Sequence, residues 1–205
     1  AYERTIRGIK ILTENYIKVA VAMVITKDNS EMIEHVIKAS YKAGASYFVI
    51  NDLIPTGRGI QMKDACLSYS EYLDVTARMN RYSDLYKDKI EILWKGMRPD
   101  GPGDDELGLF IRSKCGAALT ELTIDNEGYV LPCPFLPKTD ENILHKKLKN
   151  IWYGSDELVK YQKRNDLNGG CGSCNRKLSC SGCRARALAH TGDLYGSDIR
   201  CPRCQ

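Results

Sequence analysis

The sequence predicts an α/β scaffold followed by a small, loop-rich α+β module, and three observations carry that division. The first hundred residues alternate β-branched apolar runs with amphipathic stretches, the pattern of parallel βα units. A Gly-, Pro- and Asp-rich stretch, MRPDGPGDDELG at 97–108, then reads as a linker between 1–96 and 109–205. Beyond it the apolar runs shorten and cysteines multiply: six of the nine in the chain fall in its last 35 residues.

Each element has a local reason. KVAVAMVIT at 18–26 is a near-continuous apolar run, as for a strand covered on both faces. Asp28, Asn29 and Ser30 offer helix caps, Glu31 suits a first turn, and Ile33, Val36, Ile37 and Ala43 form an apolar stripe ending at Gly44. SYFVINDLI at 46–54 predicts a second buried strand, broken by PTGRG at 55–59. An amphipathic stretch from 63 to 86 predicts another helix, and KIEILWKG at 89–96 a third strand. Parallel strands joined by helices imply right-handed crossovers, and two or three such units are fewer than a closed barrel needs. In the second half, ELTIDNEGYVL at 121–131 predicts a hairpin turning at DNEG, with Gly128 at a positive φ. Such a hairpin brings Cys115 and Cys133 together across seventeen intervening residues. Residues 155–168 predict a helix capped by Ser155, with Asp156 and Glu157 in its first turn and Gly169–Gly170 as its stop. Arg184 to His190 predict one or two helical turns closed at Gly192.

Charge and hydropathy exclude several classes of function. Thirty basic and 26 acidic residues leave a net +4 with no block of five like charges, so no nucleic-acid partner is expected. No run of eighteen apolar residues exists and AYERTIRGIK lacks the regions of a signal peptide, so neither a membrane partner nor export is expected. In the reducing cytoplasm that this implies, clustered cysteines favour metal over disulfides. The chain begins at Ala1, part way into a helical pattern, which points to a piece of a longer protein.

CGSCNRKLSCSGCRARA at 171–187 concentrates the chemistry. Its two CxxC pairs, Cys171 with Cys174 and Cys180 with Cys183, suffice for one tetrahedral zinc in a non-catalytic binding module. Cys115, Cys133 and Cys201 lie beyond that minimum, and iron–sulfur clusters accept thiolates from distant segments. Seven thiolates approach the eight that two cubane clusters use.

The order Cys115, twelve residues, Gly128, four residues, Cys133, then Cys171, Cys174, Cys180, Cys183 and Cys201 resembles the SPASM domain. That domain is a C-terminal extension of many radical S-adenosylmethionine (SAM) enzymes. CSGCRARA followed by TGD and DIRC is most similar to the tetrapyrrole-modifying, heme-biosynthesis branch. VAMVITKDN and GASYFVINDLIPTGRG resemble the fifth and sixth strands of a partial (βα)6 radical SAM barrel. The resemblance implies two auxiliary [4Fe–4S] clusters: Cys115, Cys133 and Cys183 on the first, Cys171, Cys174, Cys180 and Cys201 on the second. The fourth site of the first cluster stays open to substrate or another ligand, Cys66 and Cys204 being off the pattern. Cys204 competes with Cys201, since CPRC has CxxC spacing. The resemblance further implies a tetrapyrrole, cofactor-precursor or peptide substrate and an electron donor such as ferredoxin or flavodoxin. The family's CxxxCxxC motif, which binds the SAM-cleaving cluster, is absent, and Cys66 is the only cysteine in the first 114 residues. SAM and a third [4Fe–4S] cluster are therefore expected only in a longer form.

Other residues carry less. Arg184 and Arg186 flank Cys183 and would stabilise anionic clusters, or else lie on the solvated surface. Arg176 and Lys177 read as exposed. PTGRG lacks phosphate-loop spacing, yet its place after a parallel strand makes Arg58 a candidate for SAM or substrate. His35, His145 and His190 are scattered, with His35 at the surface. Tyr195 either packs or shields a cluster.

Overall fold

The computed structural model describes residues 1–94, 115–163, 165–178 and 180–201. The linker at 97–108 and Cys204 lie outside them. The chain divides into two compact units. One comprises Ala1–Leu53 and the chain from Asp64 through the third strand; the other comprises Ile54–Lys63 and the described residues from Cys115 onward.

In the α/β unit, helix α1 (Tyr2–Glu14) precedes strand β1 (Ala20–Ile25), helix α2 (Ile33–Lys42), strand β2 (Tyr47–Asp52), helix α3 (Tyr69–Tyr86) and strand β3 (Glu91–Trp94). The strands form a parallel sheet in the order β1-β2-β3, with Ala20 opposite Tyr47 and Tyr47 opposite Glu91. Central β2 buries Phe48, Val49 and Ile50 in succession, so both its faces are covered. β1 differs from expectation. It is an outer strand of the three described and alternates, with Ala20, Ala22 and Val24 exposed and Ile25 buried. Ile33 and Ile37 of α2 and Tyr72, Val75 and Met79 of α3 fill the core with Phe48 and Ile50.

Helix starts also moved. Thr26 caps a 3-10 turn at Lys27–Met32 by exchanging hydrogen bonds with Asn29, and α2 begins only after that turn. α3 begins at Tyr69, not near 63, because a separate 3-10 segment, Gly57–Ala65, precedes Ser68. Ser68 and Glu71 then close a capping box: the Ser68 N–H donates to Glu71 Oε2 at 2.6 Å, and the Glu71 N–H to Ser68 Oγ at 3.3 Å.

In the cysteine-bearing unit, β4 (Thr123–Ile124) pairs antiparallel with β5 (Val130–Leu131). Gly128 turns between them at φ 87°, and a Cβ there would meet Asn142 Oδ1 at 2.7 Å. Helices α4 (Leu148–Gly154), α5 (Asp156–Gln162), α6 (Gly169–Ser173) and α7 (Arg184–Thr191) follow. The Leu158 N–H donates to Ser155 Oγ, as a cap on α5 requires, but that helix stops six residues before the predicted end. Gly169 and Gly170 open α6 instead of closing α5. Gly169 sits at φ 55°, and the Gly170 N–H donates to Ser197 Oγ at 2.9 Å. α7 ends at left-handed Gly192, as expected.

Candidate metal centre

The thiols fall into two sets within the cysteine-bearing unit. Cys115, Cys133 and Cys183 are half-buried and pack against the buried side chains of Ile54, Ala117, Leu136 and Ala185. The hairpin brings Cys115 and Cys133 to this one cluster, and the start of α7 adds Cys183. Burial pushes the Cys133 thiol up to about 11, against the Phe135 N–H, and proximity to Cys183 and Cys115 adds to the rise. Burial likewise raises Cys183, with the Arg186 charge opposing. Two thiols that resist ionising, Cys133 and Cys183, packed with Cys115 in one apolar cluster, fit a site whose charge a metal would balance.

The second set lines one cavity. Cys171 on α6, Cys174 at its C-cap, Cys180 and Cys201 share it with Arg176, Lys177, Arg186 and Arg200. It holds about 40 Å³, where a single water needs roughly 10–15 Å³. Among the described residues no three His, Cys, Asp or Glu side chains are grouped so as to hold a single metal ion. Donors already face the sulfurs. The Asp198 N–H and Arg184 Nη2 donate to Cys171 Sγ at 3.4 and 3.6 Å, and the Arg176 N–H donates to Cys174 Sγ at 3.4 Å. Burial raises the Cys180 thiol; the Gly182 N–H opposes this, and Cys201, Asp198 and Cys171 reinforce it. Ser181, also on the cavity wall, is 2% exposed, and its hydroxyl has no partner among the described residues. An orphaned donor, four convergent thiols and surrounding cations fit an anionic iron–sulfur cluster.

A tight turn separates the sets. Ser181 and Gly182 both adopt left-handed φ, 61° and 64°, so Cys180 joins the cavity while Cys183, three residues on, joins the apolar set. Gly182 is required, because a Cβ there would lie 2.7 Å from Arg184 Nη2 and 2.8 Å from Asp198 Cβ.

The arginines are buried, not solvated. Arg184 is 2% exposed and donates from Nη1 to the carbonyls of Leu194 and Gly196 at 2.9 and 2.7 Å. Arg186 donates to Asp198 Oδ1 from Nε at 2.7 Å and to Oδ2 from Nη2 at 2.8 Å. Burial would raise the Asp198 carboxyl, but the Arg186 charge and the N–H groups of Cys183 and Arg200 hold it down to about 2. Asp198 was legible in the sequence only as a spacer before Cys201. Its signal was a lone acid in DIRC, near the two arginines of RARA.

The remaining candidates are placed as follows. Arg58 is exposed in the 3-10 segment Gly57–Ala65 and is not among the residues lining the cavity. Cys66 is buried in the α/β unit, its thiol facing the Leu53 carbonyl at 3.7 Å. His35 and His145 are exposed. Burial holds His190 below its ordinary value, and Lys63, Arg186 and Arg200 add to that. Tyr195 donates from its hydroxyl to the Lys160 carbonyl at 3.2 Å, which favours packing over shielding. Among the described residues, no helix is long and apolar enough to cross a membrane.

Residues 115–175 match the SPASM family, an iron–sulfur cluster-binding domain. The chain is 26% identical, over 98% of its length, to the AdoMet-dependent heme synthase of Nitratidesulfovibrio vulgaris, and 27% identical, over 98%, to that of Methanosarcina barkeri. It spans 58% and 60% of those relatives' lengths. Streptococcus suis SuiB bound to precursor peptide SuiA superposes with a TM-score of 0.73 at 19% identity, covering 99% of this chain and 48% of SuiB; that likeness is one of fold. Residues 115–175 therefore match the SPASM iron–sulfur cluster-binding domain, in a chain similar over nearly its whole length to part of the AdoMet-dependent heme synthases and to SuiB in fold.

Proposed function

We propose that this chain is the cluster-bearing C-terminal portion of a radical SAM/SPASM enzyme acting on a tetrapyrrole. Cys115, Cys133 and Cys183 hold one auxiliary [4Fe–4S] cluster, and Cys171, Cys174, Cys180 and Cys201 hold a second. The observation that carries the reading is the sorting of seven thiols into an apolar set of three and a cavity-lining set of four. When bound, such clusters supply one-electron transfer or a point of substrate attachment. The chain's own residues then have defined tasks. The Arg184 guanidinium and the amides of Asp198 and Arg176 stabilise thiolate at Cys171 and Cys174. Ile54, Ala117, Leu136 and Ala185 exclude water from the first set. The three-thiol set leaves a fourth position for substrate or a further ligand. SAM, the radical-generating cluster, the electron donor and a contact at Arg58 belong to the longer enzyme.

A tetrapyrrole is favoured by the two relatives named heme synthases. A peptide substrate is the second reading, favoured by the likeness of fold to SuiB with its bound precursor peptide. Purified without oxygen, the protein is expected to be brown and to contain about eight iron atoms per chain. A colourless protein carrying one zinc and no iron overturns the proposal.

A further inference from the structure

We propose that Asp198, clamped by Arg186, is a positioning residue shared by both thiol sets, fixing Cys183 of one and Cys171 of the other in a single buried frame. The inference rests on the two-cluster reading above. Four observations support it. Asp198 Oδ2 accepts the Cys183 N–H at 2.7 Å, which fixes the backbone that aims one thiol of the apolar set. The Asp198 N–H donates to Cys171 Sγ at 3.4 Å, so the same residue touches a thiol of the cavity set. Its carbonyl accepts the Cys201 N–H at 2.9 Å, reaching a second thiol of that set. Arg186 holds both carboxylate oxygens in a fork and itself lines the cavity. Asp198 and Arg186 are 1% and 4% exposed, so this charge pair acts where water screens little. The Asp198 main chain reaches two thiols of the cavity set, its carboxylate reaches the Cys183 amide of the apolar set, and the charged pair itself lines the cavity, which places one carboxylate beside both sets. A charge altered at this single carboxylate is felt at both centres.

The test is an anaerobic redox titration of the iron-loaded full chain, read by electron paramagnetic resonance. Asp198→Asn keeps the shape and removes a buried negative charge, so an added electron is favoured and both midpoint potentials rise. Because that variant leaves the Arg186 charge unpaired, Asp198→Asn combined with Arg186→Gln is measured beside it; with no lone charge buried, it loads iron to the wild-type level. Because it removes one charge of each sign side by side, its potentials lie nearer to wild type than those of Asp198→Asn at both centres. Arg184→Gln, which removes the side-chain donor to Cys171, moves the second centre more than the first and shows that the two signals are resolved. Iron-loaded Asp198→Asn in which either potential stays at the wild-type value, or a double variant shifted as far as Asp198→Asn, overturns the proposal. A wild-type chain without iron overturns the two-cluster reading instead, before any variant is compared.

Discussion

Gly182 shows how one missing Cβ organises the thiols. Placing a methyl there puts it against Asp198 and Arg184, in a backbone conformation that costs an L-residue roughly 1–2 kcal/mol. Crowding adds about 1–3 kcal/mol. Gly182→Ala is therefore expected to lower the denaturation midpoint of the cysteine-bearing unit, and an unchanged urea midpoint would refute that role. The two-residue gap between Cys180 and Cys183 was legible in the sequence, and so was the presence of two arginines after it. Their burial was not. Arg186 meets Asp198 twelve positions away, through a chain reversal that leaves no periodicity to read. The thiol sorting was legible only through the family resemblance, since local CxxC spacing pairs Cys180 with Cys183, whereas the fold sends them to different neighbours.

At the scale of elements, the capping box on α3 gives a pH-dependent contribution of known sign. Hydrogen bonds from Ser68 hold the Glu71 carboxyl below its ordinary 4.5. A carboxyl depressed in the folded state stabilises above the unfolded range, and that stabilisation is lost as pH falls through the folded value. Urea denaturation from pH 6 to pH 3 should show the wild type losing stability that Glu71→Gln has already lost; parallel curves would refute the assignment. The S-x-x-E signature at 68–71 marks this start, and amphipathicity alone placed it six residues too early. Strands were more legible than helix ends, because three consecutive buried residues in β2 need only a sheet with two covered faces. The short helix α4 went unread, since seven residues give too little period to detect. The Gly169–Gly170 pair was misread because its partner, Ser197, lies far along the chain.

For the whole molecule, the two units differ in what holds each together. The α/β unit has one continuous core running from Ile9 through Phe48 to Ile90. The cysteine-bearing unit has two small clusters, one around Ile54 and Ala185, the other around Val130 and Leu158. Little apolar area supports so many loops, so bound metal is expected to contribute a large part of that unit's stability. Stripping iron with a chelator under oxidising conditions should lower the helical circular dichroism contributed by α4 to α7, with re-loading restoring it. A spectrum unaffected by iron removal would count against that dependence. Asp198 gives this unit a further property. Two amides, those of Cys183 and Arg200, end on its carboxylate, and its own amide ends on sulfur, none of them as part of a sheet ladder. In hydrogen–deuterium exchange the Cys183 and Arg200 protons share one fate: freeing either means displacing the same side chain, so their protection follows a carboxylate and not a helix or strand.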